Sequence, residues 1–300
     1  MFIFDGYTFA KEKEIILQQR VTELHQRGIF PKIAAILFRE DSGSQLYTRL
    51  KKEAAERVGI GYEVFEFSMR DEVEGVAAKI QEVCADATVT GLIVQKPARV
   101  VWEKVTNKKN FGEWWLSLVS AIDPAKDVDG LSQETLAAIQ RGTWKQESKV
   151  IPATAKAVLE ILKVAAEKTG LQLSQATIII LGKSDLLGKP LFFELSNQKM
   201  NVELLGRKEL VERITSGQKL HDADVVISAT GQPNIITGDM IKTGAVVIDV
   251  GEPKGDVEFT TVSQKAAFMT PVPGGVGPLT VLSLLENSVS LSQPGDKVSQ

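Results

Sequence analysis

The chain is nearly devoid of cysteine and histidine. Cys84 is the single cysteine among 300 residues, and His25 and His221 are the two histidines. One thiol cannot close an internal disulfide, nor can it supply a cysteine cluster for zinc or iron–sulfur. Two imidazoles do not make a histidine-rich metal site, so no metal is expected. A reducing, cytoplasmic compartment is the natural expectation. The sequence also lacks any run of ~18 apolar residues, which leaves no transmembrane candidate. The opening MFIFDGYTFAKEKEI lacks the basic-then-apolar order of a secretion signal. There is no surplus of positive charge: 35 Lys and Arg against 38 Asp and Glu give a net charge of -3. That argues against a dedicated nucleic-acid binder. Internal repeats and low-complexity blocks are absent as well. What remains is ordinary, with 43% hydrophobic and 24% charged residues. Those proportions exclude a disordered tail protein, a collagen and a membrane channel. At roughly 100–200 residues per domain, the length suggests about two domains.

Short, continuous, β-branched runs recur along the chain: Ile33–Phe38, Gly91–Val94, Thr177–Leu181, Val225–Ser228 and Ala245–Val250. Unbroken apolar runs of this length fit parallel strands buried on both faces. Between them lie segments with helical spacing, at Ala10–Arg27 before Gly28, Gln45–Val58 before Gly59, and Glu72–Cys84. The alternation predicts an α/β architecture. Thr154–Glu167 is a further helix, with Thr154 as its N-cap and Gly170 beyond its end. A domain junction is placed near residues 142–152. Pro278–Val289 reads as a last apolar helix, and the polar tail Ser290–Gln300 is expected to fray. Trp102–Ser120, which holds Trp114 and Trp115, breaks the rhythm and reads as an insertion or flap. Its tryptophans either anchor a surface loop or form a lid or subunit contact.

Five stretches carry candidate chemistry. In Thr177–Pro190 a buried strand runs into Gly182, and Gly188 opens or lies within a helix. Glycine permits a tight turn there, and amides at a helix start can hold phosphate. The string is not a full G-x-G-x-x-G, and by itself it fits a structural turn as well. The next strand, Val202–Leu205, ends at Gly206, Arg207 and Lys208. A basic residue at that strand end suits a ribose 2′-phosphate, with Lys183 as a second cation; both are equally readable as solvated surface bases. Glu203 lies inside the strand and is not read as a ribose acid. In Ser44–Lys51, Tyr47 and Lys51 share a helix face as i and i+4. A ring beside an ammonium can stack on a flat substrate while the ammonium moves a proton, although this spacing also describes any amphipathic face. Gln95–Pro97 follows the buried strand GLIV, at the carboxyl end where α/β ligands gather. Asp123–Gly130 is a polar loop with Asp129 beside a glycine. Thr270–Thr280, TPVPGGVGPLT, is a rigid uncharged loop that lets backbone approach a ligand.

In this order the strings resemble the bifunctional methylenetetrahydrofolate dehydrogenase/methenyltetrahydrofolate cyclohydrolase family, the FolD type. The family carries Ser-x-x-Tyr-x-x-x-Lys, Val-Gln-Leu-Pro-Leu-Pro, Lys-Asp-Val-Asp-Gly, Pro-Cys-Thr-Pro, Gly-Arg-Ser-x-x-Val-Gly-x-Pro and Thr-Pro-Val-Pro-Gly-Gly-Val-Gly-Pro. The matching positions are Ser44, Tyr47 and Lys51; Val94, Gln95 and Pro97; 126–130; Pro152 and Thr154; Gly182, Ser184, Gly188 and Pro190; and 270–278.

The resemblance implies an α/β fold of two domains with a cleft between them. Residues 1–148 plus 276–300 form the folate and catalytic domain, and 149–275 the Rossmann-type NADP-binding domain. It implies oxidation of 5,10-methylenetetrahydrofolate with NADP, then hydrolysis of the methenyl product to 10-formyltetrahydrofolate, as part of one-carbon metabolism and purine biosynthesis. Lys51 is the implied general acid/base, and Gln95 the partner that holds it. Tyr47 stacks on the folate and Asp129 accepts from the pterin edge. Ser44 and Pro97 line the substrate, and Gly274, Gly275 and Val276 border substrate and nicotinamide. Gly182, Lys183, Ser184, Gly188, Arg207, Thr230 and Gly231 surround the cofactor. A homodimer formed through the Rossmann domains is implied, with no nucleic-acid or membrane partner.

The chain departs from the family in places. VQKPAR puts Lys96, Ala98 and Arg99 where the family has Leu, Leu and Pro; Lys96, if turned inward, would depress the Lys51 pKa. PATA replaces Pro-Cys-Thr-Pro with Ala153 and Ala155. Lys183 replaces an arginine and supplies charge without a fork of donors. These departures leave open a dehydrogenase with weak or absent cyclohydrolase activity, and a non-catalytic folate- or nucleotide-binding homologue.

Overall fold

The computed structural model describes residues 1–293. In chain order its elements are β1 (Phe2–Ile3), α1 (Gly6–Gln26), β2 (Lys32–Phe38), α2 (Ser42–Val58), β3 (Gly61–Phe67), α3 (Val73–Ala85), β4 (Gly91–Val94), α4 (Arg99–Thr106), α5 (Phe111–Val119) and α6 (Gln133–Arg141). There follow α7 (Ala153–Thr169), β5 (Thr177–Leu181), α8 (Gly188–Asn197), β6 (Asn201–Leu205), α9 (Arg207–Thr215), β7 (Val225–Ser228), β8 (Val246–Asp249), α10 (Phe259–Val262), β9 (Phe268–Met269) and α11 (Val276–Leu291). The chain forms two compact units. One comprises 1–12, 139–143 and 152–283; the other comprises 13–138, 144–151 and the chain from 284 onward. This division differs from the one read in the sequence, because the first twelve residues and the start of α11 cluster with the unit that begins at Pro152.

The unit that contains α2 is built on a parallel sheet ordered β3-β2-β4. Alternation along β2 sends Ala34, Ile36 and Phe38 to one face. There they meet Val76, Ile80 and Val83 of α3, Trp102 of α4, and Phe111, Trp114 and Leu118 of α5. The Trp102–Ser120 segment is therefore not a flap or a loop anchored at the surface. It is two helices separated by Asn107 in the left-handed region, and Trp102 and Trp114 are 1% and 8% exposed. Burial of two indoles outweighs the loop-like reading of its lysines and asparagines. Beyond β4, Leu92 bridges Asp127 in parallel, so the DPAKDVDG loop lies along the sheet.

The other unit holds a six-stranded sheet ordered β1-β9-β8-β7-β5-β6, with every pairing parallel. β5, β7 and β8 are buried on both faces, as their unbroken apolar runs predict. One face, carrying Ile179, Leu181, Val226 and Val247, packs with Leu210 of α9.

Several boundaries differ from the sequence reading. Thr154 does not cap α7: it lies within the helix, and Pro152 occupies the cap without a side-chain bond. Proline's fixed φ and missing N–H suit that end of a helix. α11 begins at Val276, two residues before the expected start. Ser290 and Leu291, expected to fray, are helical, and Ser292 is buried; residues 294–300 of the expected tail lie outside the described residues.

Candidate active site

Lys51 sits where a charge is least expected. The buried stripe of α2 is Ser44, Thr48, Lys51, Ala54, Ala55 and Val58, and Lys51 is its one charged member. Its side chain is 6% exposed, and its ammonium donates to Gln95 Oε1 at 2.8 Å. Burial pushes the Lys51 ammonium below its ordinary value, while the charge of Asp129 pulls the other way. Lys96 has no part in this shift. It is exposed, and its ammonium lies 5.2 Å from the Trp115 ring centre and 5.9 Å from that of Phe111. The two rings of α5 hold Lys96 outward, so the inward pose considered from the sequence is not adopted.

Gln95 is placed by the sheet. Its backbone N–H donates to Ile36 O at 2.9 Å, which continues the β2–β4 pairing one residue past β4. The following loop is tied to α2 by Asp41. One Asp41 oxygen accepts from Gly43 N; the other accepts from Ser44 Oγ at 3.0 Å and from Ala98 N at 2.7 Å. Ser44 Oγ also lies 3.3 Å from Lys96 O. Ser44 thus serves the loop, and Pro97 beside it is buried. Sequence reasoning passed over Asp41, although Asp before Ser-Gly-Ser is a strong N-cap signal.

Tyr47 is half-buried one turn before Lys51. In the Lys-Asp-Val-Asp-Gly string the two acids divide. Asp127 is buried and accepts from Leu131 N and Ser132 N, holding the turn before α6. Asp129 remains half-exposed, and Gly130 follows at a φ of 65°. Tyr62 of β3 is a second residue missed in the sequence. Its buried hydroxyl has no hydrogen-bond partner among the described residues, and burial together with Asp129 pushes its pKa up.

In the other unit, the turn from β5 to α8 has no room for a side chain at its two glycines. A Cβ on Gly188 would lie 1.7 Å from Gly182 O, and one on Gly182, whose φ is 113°, would lie 2.3 Å from Ala229 O. Gly188 opens α8. Ser184 Oγ accepts from Leu187 N at 3.2 Å, which steadies that turn. A glycine-lined strand-to-helix turn at the carboxyl end of a parallel sheet fits a dinucleotide pyrophosphate. After β7, Thr230 N and Oγ1 donate to Asp256 Oδ2 at 2.6 and 2.9 Å, and Gly231 follows at a φ of 67°. Asp256, unnoticed in the sequence, is wholly buried and also accepts from Ser228 Oγ. Asp256 itself lies in the segment 252–259 that follows β8, so it ties that segment to the end of β7. At the β6 end Arg207 is exposed, whereas Lys183 is ion-paired with Glu209. Glu203 is ion-paired with Arg213.

The TPVPGG turn is equally close-packed. Gly274 has a φ of 97°, and a Cβ there would lie 2.9 Å from the Tyr7 ring; Gly6 N donates to Gly274 O at 2.9 Å. Val276 is buried at the start of α11. Among the described residues, no group of three or more His, Cys, Asp or Glu is disposed to hold a metal, and no helix is long and apolar enough to cross a membrane.

The fold and these two sites define a class: an α/β protein with a Rossmann-type NAD(P)-binding unit and a second unit carrying a buried lysine–amide pair. The comparisons narrow that class. Residues 4–129 match the catalytic-domain model of tetrahydrofolate dehydrogenase/cyclohydrolase, and residues 152–294 match its NAD(P)-binding-domain model. The chain belongs to the tetrahydrofolate dehydrogenase/cyclohydrolase family. The bifunctional protein FolD of Lactobacillus helveticus is 35% identical over 298 residues, covering 97% of each chain. The crystal structure of the FolD bifunctional enzyme from Campylobacter jejuni superposes with a TM-score of 0.84 at 29% identity, covering 97% of this chain and 98% of that one. The Trypanosoma brucei enzyme, solved with NADP and an inhibitor, gives 0.83 at 28% identity, covering 97% and 96%.

Proposed function

We propose that the chain oxidises 5,10-methylenetetrahydrofolate to the methenyl form with NADP, then hydrolyses that product to 10-formyltetrahydrofolate. The observation that carries this reading is the buried Lys51 ammonium held at 2.8 Å by Gln95. When bound, the nicotinamide supplies the hydride acceptor. Gly182, Ser184, Gly188, Thr230 and Gly231 shape the place for the dinucleotide, Gly274, Gly275 and Val276 border its nicotinamide end, and Lys183 and Arg207 supply cations for a 2′-phosphate. Tyr47 stacks on the folate, Asp129 accepts from its pterin edge, and Ser44 and Pro97 hold the loop that carries Gln95.

Hydrolysis needs proton transfers, and Lys51 makes them. Its amine removes a proton as the water oxygen bonds to the methenyl carbon. Its ammonium then returns a proton to the ring nitrogen as the carbon–nitrogen bond breaks. The remaining water proton leaves to solvent as the formyl carbonyl forms. Burial lowers the Lys51 pKa from its ordinary value, which makes the neutral amine easier to reach than in an exposed lysine. Gln95 fixes the direction of the amine. Lys96 stands over the α5 rings, so the altered VQKPAR string leaves the Lys51–Gln95 pair in place, which favours the bifunctional reading over a dehydrogenase alone.

The product is a one-carbon donor of the kind used in purine biosynthesis. A cytoplasmic homodimer is the form this reading implies. A coupled assay with each nicotinamide cofactor, following methenyl absorbance, tests the proposal. Cofactor reduction with transient methenyl and stoichiometric 10-formyl product is the expected result. Lasting accumulation of methenyl refutes the second step, and no reduction with either cofactor refutes the first.

A further inference from the structure

Glu209 is the third residue of α9, and its carboxylate makes two contacts. Oε2 accepts the Gly206 N–H at 3.0 Å, and Oε1 is ion-paired with the Lys183 ammonium. Gly206 is the first residue beyond β6, and Lys183 the second beyond β5. One carboxylate therefore links the carboxyl ends of two adjacent parallel strands. In a Rossmann unit the adenosine ribose lies at this place, where an acid accepts from a 2′-hydroxyl and a cation receives a 2′-phosphate. The other acid in this stretch, Glu203, is bound to Arg213. The Lys183 and Glu209 side chains are 44% and 39% exposed, so a ligand can reach both. Arg207 is exposed at the same turn.

The geometry points to Glu209 as the residue that sets discrimination at the ribose 2′ position. It occupies Lys183 and offers a carboxylate oxygen to a 2′-hydroxyl, so the chain binds NAD(H) at strengths comparable with NADP(H). This rests on the dinucleotide reading of the unit, and it narrows the NADP preference that Lys183 and Arg207 support. A 2′-phosphate that engages Lys183 shares it with Glu209 and faces a like charge. Sequence inspection sees the two cations but not the acid that occupies one of them.

The test is calorimetric titration of the full chain with 5′-AMP and with 2′,5′-ADP, which differ by the 2′-phosphate alone. Glu209→Gln is the informative variant, since glutamine still accepts the Gly206 N–H and preserves the start of α9. The wild-type chain is expected to bind the two nucleotides within about tenfold of each other. In Glu209→Gln the preference for 2′,5′-ADP rises by about tenfold or more, the size of one removed like charge near the surface. Adding Lys183→Met to that variant cancels the gain. NADH and NADPH titrations, followed by nicotinamide fluorescence, show the same shift. An unchanged ratio, or equal weakening of both nucleotides, overturns the assignment and leaves Glu209 a helix cap. A wild-type preference above a hundredfold for 2′,5′-ADP also overturns it, with the dinucleotide reading intact. Failure of the wild-type chain to bind either nucleotide overturns both.

Discussion

Replacing Lys51 with methionine separates activity from stability. The side chain is 6% exposed and holds an ammonium on an otherwise uncharged stripe. Methionine matches its length and keeps the stripe filled. Losing a positioned acid/base typically slows a step 10²–10⁴-fold, or about 3–5 kcal/mol in barrier. Stability moves the opposite way. Exchanging a buried charged group for an apolar one of similar volume adds about 1–4 kcal/mol. Gln95 loses a donor at a cost of about 1 kcal/mol, softened because this half-buried amide can turn to water. A net gain of about 0–3 kcal/mol is expected.

The pH dependence identifies the cause of that gain. The unfolded chain keeps the ordinary lysine value of 10.5, and the folded value is lower. Between the two, the unfolded state binds more protons, so wild-type stability rises with pH across that window and is lowest below it. Lys51→Met removes this rise. Denaturant midpoints across the window, together with the rate of methenyl absorbance loss, measure both effects. A variant that hydrolyses methenyltetrahydrofolate at the wild-type rate refutes the role of Lys51. A variant less stable than wild type at neutral pH refutes the burial argument.

Other substitutions probe the scaffold. Trp102→Ala removes a fully buried indole from the α3–α5 core and should cost about 3–5 kcal/mol in denaturant unfolding; a loss under about 1 kcal/mol would restore the flap reading of this segment. Gly188→Ala forces a Cβ to within 1.7 Å of Gly182 O. It should abolish 5′-AMP binding by calorimetry and destabilise the chain by about 1–3 kcal/mol. Asp41→Ala removes the α2 cap and the tether to Ala98 N, and a loss of about 1–2 kcal/mol is expected. Because the Gln95 loop is freed, hydrolysis should slow more in kcat than in KM, whereas an unchanged kcat would confine Asp41 to capping.

The buried strands were legible because each is an unbroken β-branched run, a pattern that few other structures produce. β3 was not, because GYEVFEF at the edge of its sheet is neither an unbroken apolar run nor a strict alternation, and β1 and β9 have two residues each. Lys51, Gln95 and Asp129 were legible through ordered motifs. The residues that hold the surrounding loops were not. Asp41 and Asp256 reach the distant backbone amides of Ala98 and Thr230, 57 and 26 residues away, and no local spacing encodes such partners; Asp127 instead closes a local turn onto Leu131 N and Ser132 N. The Lys183–Glu209 pair illustrates the same limit. Its members are separated by a strand and a helix, and each alone looks like a solvated surface charge. Trp102 and Trp114 misled in the other direction, since their flanking charged and amide residues mimic a loop while the rings supply the core.

The two-residue strand β1 affects the order in which this protein can be made. Phe2 and Ile3 pair with Phe268 and Met269, and Gly6 donates to the Gly274 turn. At 5–20 residues per second, a ribosome needs roughly 10–50 s to pass from the first strand to its partner. The six-stranded sheet thus cannot close while its chain is emerging, and its edge is finished only after β9 is out. A fragment begun at Pro152 would contain β5 to β9 and their helices yet leave Phe268 and Met269 with an open edge and the Gly274 turn without its amide partner. Cutting the gene at the apparent junction would yield a nucleotide-binding unit with an unprotected strand, prone to pairing with other copies of itself.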